Sequence, residues 1–328
     1  MPKVLLTRDY PAVAKDLLLE AGLEVSSWPE PRPMTPEELV VNAKKVDAML
    51  CTITDKITPE FLEQCSHLKV LAQFGVGYDN INVPEATKYG IAVGNTPGVL
   101  TDATADTAFT LLLCVARKAF AHHKKILAGG WKSFEPNKSL GIELKGKTLG
   151  ILGLGRIGAA MAQRCKGAYG MTILYYNRTR NLAAEKELGA RLVSFDELLG
   201  ESDIVSAHCA LTAETRGIFN KDAFSKMKPT AIFINTARGP VHNEEDLRDA
   251  LVSGKIWGAG LDVTNPEPMN ADNPLLAMEN VAILPHIGSA TEEARNGMAR
   301  LAAGNIIGYF RNGVVPNLVN PDYKKFAR

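Results

Sequence analysis

TLGILGLGRIGAAMAQRC, Thr148–Cys165, joins a short apolar run to a helical one through three glycines. The first part reads as a strand and AAMAQRC as a helix, with Gly153, Gly155 and Gly158 set between them as G-x-G-x-x-G. Each glycine has a task in that arrangement. Gly153 permits a tight turn, Gly155 lets a pyrophosphate reach the backbone, and Gly158 lets the helix pack on the strand. The free N–H groups around Leu154, Arg156 and Ile157, at the positive end of the helix, then face phosphate oxygens. Three glycines alone are weak evidence. The strand before them, the helix after them and a second strand ending near Asn177 make the stretch a dinucleotide-binding unit.

That second strand is TILYYNRTR, Thr172–Arg180. A unit tuned to NAD ends this strand in an acid that grips the ribose 2′-hydroxyl. Here Asn177 stands in that place, followed by Arg178, Thr179 and Arg180. A 2′-phosphate beside an acid would be repelled by about 4 kcal/mol per unit charge pair at ~4 Å and an effective dielectric near 20. Asn177 removes the repulsion, and the Arg178 fork can take phosphate oxygens in two parallel hydrogen bonds. The expectation is NADP(H) in preference to NAD(H), with Arg180 either assisting or solvated.

Outward from this unit, the chain alternates strand and helix signals. KVLLTR, EVSSW, DAMLCTI, KVLAQFGVG and IAVGNTP are apolar runs separated by helical segments, two of which open on Thr-Pro-Glu. A stretch of some thirty residues from Leu100 carries no Pro after Pro97 and reads as one long helix or two joined ones. Seven further apolar runs follow, TLGILG, TILYYN, ARLVS, DIVSAHC, AIFINTA, WGAGLDV and VAILPH. Thr291–Gly313 then forms a last helix, opened by Thr291 and closed by Asn312-Gly313. The pattern predicts an α/β protein with two doubly wound parallel-sheet domains. A Rossmann-type coenzyme domain, 100–287, is expected to be inserted in a discontinuous flavodoxin-like substrate-binding domain, 1–99 with 288–328.

The totals set bounds on partners. The 328 residues are 46% hydrophobic and 22% charged with a net charge of +1, so nothing global favours nucleic acid or an anionic membrane. No apolar run is long enough to span a bilayer, and the N-terminus meets Arg8 and Asp9 too soon for a secretory signal. The five cysteines are scattered, without CxxC or zinc-ligand spacing, and read as reduced core thiols of a cytoplasmic protein. No metal is expected.

Polar residues follow three strands of the second series. Arg238 follows AIFINTA, Glu267 follows GLDVTNP and His286 follows VAILP. In an open α/β sheet the carboxyl ends of the strands form the ligand crevice. Each residue alone would suit a solvated loop; an Arg, an acid and a His together suit catalysis. Val76 and Gly77, in a glycine-rich turn after KVLAQF, offer backbone N–H groups to an anion. The other histidines, His67, His122, His123, His208 and His242, read as surface or helix residues.

The motifs FGVGYDNINV, NTPGVLTDATAD, GILGLGRIG, INTARGPVHNEEDL, GAGLDVTNPEP and LPHIGSAT together resemble the D-isomer-specific 2-hydroxyacid dehydrogenases, and the likeness runs nearly end to end. The neutral-plus-Arg pattern at Asn177-Arg178 is similar to that of the glyoxylate/hydroxypyruvate reductase branch. The resemblance implies reduction of a small 2-keto acid to a 2-hydroxy acid, with His286 as general acid, Glu267 holding its imidazole, and Arg238 binding the substrate carboxylate. A carboxylate bonded to an imidazole favours the protonated ring, and Arg238 can stabilise charge on the carbonyl oxygen. It further implies that Thr104, Cys209, Thr215, Thr236, Ala237, Asp262 and Gly288 touch the dinucleotide. Ala210 departs from a family proline, which bears on the shape of that loop. A homodimer is implied, with Trp131 either reaching the partner's pocket or packing in the core. Rival readings are another dehydrogenase of the family, such as a 2-ketogluconate reductase, and a dinucleotide-sensing corepressor.

Overall fold

Strand and helix alternate along the structure, a computed structural model that describes residues 1–327. The chain divides into two compact units, Met1–Leu100 with the residues from Ala290 onward, and Thr101–Ser289. The first unit runs β1 (Lys3–Leu6), α1 (Ala12–Glu20), β2 (Glu24–Ser27), α2 (Pro36–Ala43), β3 (Ala48–Cys51), α3 (Pro59–Gln64), β4 (Val70–Gln73), α4 (Val83–Lys88) and β5 (Ala92–Gly94). All five strands are parallel, in the order β2-β1-β3-β4-β5, which is the flavodoxin-like order. Thr35 and Glu38 form a reciprocal cap at α2, and Thr58 accepts the Phe61 N–H at α3, so both Thr-Pro-Glu signals open helices.

The second unit begins with two joined helices, α5 (Thr101–Ala116) and α6 (Ala119–Leu127). It continues through β6 (Thr148–Leu152), α7 (Arg156–Tyr169), β7 (Thr172–Tyr176), α8 (Leu182–Leu188), β8 (Arg191–Leu192), α9 (Phe195–Glu201) and β9 (Ile204–Ala207). α10 (Lys221–Lys226), β10 (Ile232–Asn235), α11 (Glu244–Val252), β11 (Gly258–Leu261) and β12 (Val281–Ile283) complete it. The seven parallel strands lie in the order β12-β11-β10-β9-β6-β7-β8. The order reverses between β6 and β9, which opens a crevice at their carboxyl ends.

Strands of such a sheet are covered on both faces and read as unbroken apolar runs. β10 shows why. Ile232 and Ile234 face a cluster built on α5 and α7, while Phe233 faces Phe219 and Phe224 on the other side. The Phe233 ring centroid lies 4.7 Å from that of Phe219 and 5.4 Å, edge on, from that of Phe224.

The last helix, α12 (Glu292–Asn312), belongs to the first unit, where it packs on α1, β3 and β4. Thr291 caps it by accepting the Ala294 N–H, and Gly313 ends it in the left-handed region. Cys51, Cys65 and Cys165 are buried, Cys114 and Cys209 half-buried, and all five are free thiols. Among the described residues no helix is long and apolar enough to cross a membrane.

Phe233 is fully buried, so Phe233→Ala leaves a cavity between sheet and helices. We expect a loss of about 3–5 kcal/mol, read as a lowered urea midpoint for the second unit by far-UV circular dichroism.

Candidate active site

The turn after β6 is shaped by contacts that exclude any side chain. Gly153 has φ +93°, and a Cβ on it would lie 2.8 Å from the Cys209 backbone N. A Cβ on Gly158 would lie 2.5 Å from the Gly153 carbonyl oxygen, so α7 can start this close to β6 only with glycine there. Gly155 differs, because a Cβ on it would meet nothing within 4 Å. Open space beside the N-terminus of α7, whose first-turn N–H groups have no carbonyl of their own helix to meet, fits a pyrophosphate. The Leu154 N–H is already taken, donating to the Asn177 side-chain carbonyl at 2.7 Å. Asn181 donates to the Leu154 carbonyl at 2.8 Å and caps α8.

The two arginines after β7 have different fates. Arg180 is bound to both oxygens of Glu185, at 3.1 and 2.5 Å, and the Tyr175 hydroxyl donates to the same carboxylate. These donors hold the Glu185 carboxyl below its usual range. Arg178 is exposed and makes no hydrogen bond or ion pair among the described residues; its charge helps to lower the Glu214 carboxyl. Thr179 is exposed beside it.

The three polar strand ends lie within the second unit. The Glu267 carboxylate and His286 Nδ1 are 2.5 Å apart. Partial burial works to raise the Glu267 pKa, but it is outweighed by the hydrogen bond and charge of His286, the Thr264 N–H and the charge of Arg238, which leave it lowered. Arg238 is thus electrostatically coupled to the pair. Its loop is set by Asn235, whose side chain donates to the Arg238 carbonyl at 2.9 Å and accepts the Ala237 N–H at 2.9 Å. The Arg238 guanidinium donates to the Ala237 carbonyl at 2.7 Å. Gly239 presses so closely on the Thr264 carbonyl that no Cβ would fit, which ties this loop to the one carrying Glu267.

His286 sits at φ +55°, a conformation seldom adopted outside glycine. Asp262 holds it there. The His286 N–H donates to the Asp262 main-chain oxygen at 2.9 Å, and the Ile287 and Gly288 N–H groups donate to its two carboxylate oxygens at 2.8 Å each. Burial nonetheless leaves the Asp262 carboxyl raised above its ordinary value.

The remaining candidates are dispersed around these groups. Thr104, on α5, lies against Gly288, whose missing Cβ would be 3.3 Å from its methyl group. The Thr236 hydroxyl is 3.4 Å from His208 Nδ1, and the Thr215 hydroxyl is engaged within its own loop, donating to the Ala210 carbonyl at 2.7 Å. Trp131 is 71% exposed, which excludes core packing in this chain. Val76 and Gly77 belong to the first unit, in the loop after β4. Among the described residues no group of three or more His, Cys, Asp or Glu could hold a metal ion.

Two histidines correct the sequence reading. His242 is 1% exposed and not a surface residue; its Nδ1 lies 3.0 Å from the Asn235 amide, beneath the Arg238 loop. His208 is half-buried, with Nε2 2.8 Å from the Ser206 hydroxyl. The support given by Asn235 and Asn181 was also missed. An Asn closing an apolar strand just before the Arg would have been the available signal for the first.

Residues 109–288 match the model of the D-isomer specific 2-hydroxyacid dehydrogenase NAD binding domain. A glyoxylate reductase of Thermococcus litoralis is 49% identical, over 98% of this chain and 97% of its own. The crystal structure of a glyoxylate reductase from Paecilomyes thermophila is 36% identical with a TM-score of 0.86, covering 97% of this chain and 98% of that one. That of an NADPH-dependent glyoxylate/hydroxypyruvate reductase from Sinorhizobium meliloti, in complex with NADP and malonate, is 31% identical with a TM-score of 0.84, covering 100% and 98%. A doubly wound parallel sheet whose glycine turn lies where the strand order reverses is the architecture of dinucleotide-binding domains. The chain belongs to the D-isomer specific 2-hydroxyacid dehydrogenase family.

The His242 ring yields a test of the loop beneath Arg238. Burial pushes its pKa down from 6.5 to about 4. Between those values the unfolded chain binds a proton that the folded chain refuses, so stability declines as the pH falls through that window and is untouched by this group above it. His242→Gln should flatten the pH dependence of Tm between pH 6.5 and 4. An unchanged slope would remove His242 from the acid response.

Proposed function

We propose that this chain reduces small 2-keto acids, glyoxylate and hydroxypyruvate among them, to D-2-hydroxy acids, preferring NADPH to NADH. The observation that carries the reading is the 2.5 Å contact between Glu267 and His286 Nδ1, with Arg238 acting electrostatically on the same carboxylate. The names of the relatives supply the substrate class. Residues from Ala290 onward with Met1–Leu100 are assigned the substrate-binding role, and Thr101–Ser289 the coenzyme role.

The coenzyme, when bound, supplies a hydride to the keto carbon. The chain's own residues do the rest. With Nδ1–H held by Glu267, the His286 ring is fixed in one orientation, and its Nε2 carries the proton that goes to the developing alkoxide. Arg238 pairs with the substrate carboxylate and stabilises charge on the keto oxygen. In the first unit, the N–H groups of Val76 and Gly77 are assigned to a substrate carboxylate. Gly153–Gly158 would hold the pyrophosphate, with Thr104, Cys209, Thr215, Thr236, Ala237, Asp262 and Gly288 around the remainder.

The free guanidinium of Arg178, with Asn177 in place of an acid, supports a 2′-phosphate there. Arg180, neutralised by Glu185, is left out of that contact. A cytoplasmic homodimer is part of the proposal. Ile126, Leu127, Trp131, Phe134 and Leu140, all more than half exposed in one segment, make the kind of apolar surface that a second copy covers. Trp131 is then available to the partner's pocket.

Loss of absorbance at 340 nm when NADPH meets glyoxylate or hydroxypyruvate tests the activity; a sensing protein would bind NADPH and leave the signal constant. His286→Ala should retain NADPH binding by fluorescence and lose at least ~100-fold in kcat. Near-normal turnover would overturn the role of His286. Arg178→Ala should raise the KM for NADPH about tenfold, the worth of a charge-assisted hydrogen bond, and leave that for NADH unchanged.

A further inference from the structure

The loop after β4 holds two consecutive N–H groups, those of Val76 and Gly77, without an acceptor among the described residues. The carbonyls of the same two peptide units are both engaged. The Gly75 carbonyl accepts the Thr96 N–H at 3.0 Å, and the Val76 carbonyl accepts the Asn95 side-chain amide at 2.9 Å. A trans peptide is planar, and its C=O and N–H point in opposite directions. Drawing the Gly75 and Val76 carbonyls towards the end of β5 therefore turns the Val76 and Gly77 N–H groups the other way, out of the loop and side by side.

The second of these peptides needs to be held. It lies next to Gly77, and glycine tolerates either sense of a peptide rotation that would reverse the N–H. The Thr96 contact is main chain to main chain, so among the described residues the side chain that opposes the rotation is that of Asn95. Asn95 is itself fixed from far along the chain. Its N–H donates to the Asn317 carbonyl at 3.2 Å, and its carbonyl accepts the side-chain amide of Asn305 at 2.9 Å. Asn305 is fully buried on α12 and also accepts the Asn317 N–H at 2.9 Å. Gly94 makes room for this, since a Cβ there would lie 2.7 Å from the Asn305 amide nitrogen.

We infer that Asn95 is a positioning residue for substrate, locking the Val76–Gly77 peptide so that its N–H is presented to the carboxylate of the 2-keto acid. This rests on the reading under Proposed function that these two N–H groups bind that carboxylate. Asn95 acts through the peptide and touches no reacting atom. Its contribution therefore belongs to the affinity for keto acid, and neither to coenzyme binding nor to proton transfer.

Steady-state kinetics with glyoxylate and NADPH test this on the whole enzyme, with Tm recorded for each variant. Asn95→Ala should raise the KM for glyoxylate about tenfold, the scale of one oriented hydrogen bond to a charged group. Its kcat, its KM for NADPH and its Tm should stay close to wild type, since Asn95 is only half-buried. Asn95→Asp adds a signature that a merely structural role lacks. The ionised carboxylate cannot donate to the Val76 carbonyl, whereas the protonated acid can. Relative to wild type at each pH, the KM for glyoxylate in Asn95→Asp should fall as the pH drops through the carboxyl range, while that of Asn95→Ala should not. An unchanged KM in Asn95→Ala, or a joint fall of Tm and kcat with a rise in both KM values, would overturn the inference and leave the proposed activity standing. A wild-type enzyme that reduces no 2-keto acid would overturn the activity, and this inference with it.

Discussion

The buried carboxylate of Asp262 is the constraint on which the Glu267–His286 contact depends. His286 occupies a backbone conformation that costs about 1–3 kcal/mol for a side chain with a Cβ. Three hydrogen bonds to one residue, from the N–H groups of His286, Ile287 and Gly288, offset that cost. Two of them end on a charged acceptor in a poorly solvated site, where such bonds are strong. Fixing three consecutive N–H groups leaves the His286 side chain few directions, and the observed one puts Nδ1 against Glu267. Burying Asp262 is itself unfavourable, as its raised pKa shows, so the protein invests stability in holding an imidazole still.

A similar economy governs the other end of the crevice. Asn177 and Asn181 both turn inward to clamp Leu154, keeping the glycine turn in one shape before any ligand arrives. The positive charge nearby is sorted by competition. Glu185 engages Arg180 and the Tyr175 hydroxyl together, which leaves Arg178 as the guanidinium of the pair without a partner among the described residues. A contact through one arginine carries less electrostatic weight than a contact through two, and it is easily screened.

Much of the architecture could be read before any coordinates. Twelve runs became twelve strands: ten are largely buried, as a parallel sheet covered on both faces demands, while β2 and β8, at the sheet edges, are mostly exposed. Helix starts were legible at Thr35, Thr58 and Thr291 because capping is local chemistry. Three polar residues beyond β10, β11 and β12 were visible from the same runs. The turn geometry that sets Glu267 on His286 was not, since it rests on Asp262 reaching the residues just past His286. His242 misled because its neighbours Asn243, Glu244 and Glu245 are polar; what buries it is Asn235 and the Phe233 ring, seven and nine residues back. Arg180 likewise looked available, and its tie to Glu185 exists only once α8 has formed. Longer-range still are the links from Asn305 and Asn320 to β5 and its flanks, which span more than two hundred positions and leave no local pattern.

Those same links have a bearing on how the molecule is made. The first sheet is synthesised before the second unit, but α12, which packs on α1, β3 and β4, and Asn320, whose side-chain carbonyl oxygen accepts the Val93 N–H at 2.8 Å, emerge from the ribosome only after it. The second unit is contiguous and can condense while translation continues, as domains generally do. The opening hundred residues must meanwhile wait with an apolar flank uncovered. The order of birth along the polypeptide is thus the reverse of the order of completion, and the nascent chain's most aggregation-prone interval falls between those two events.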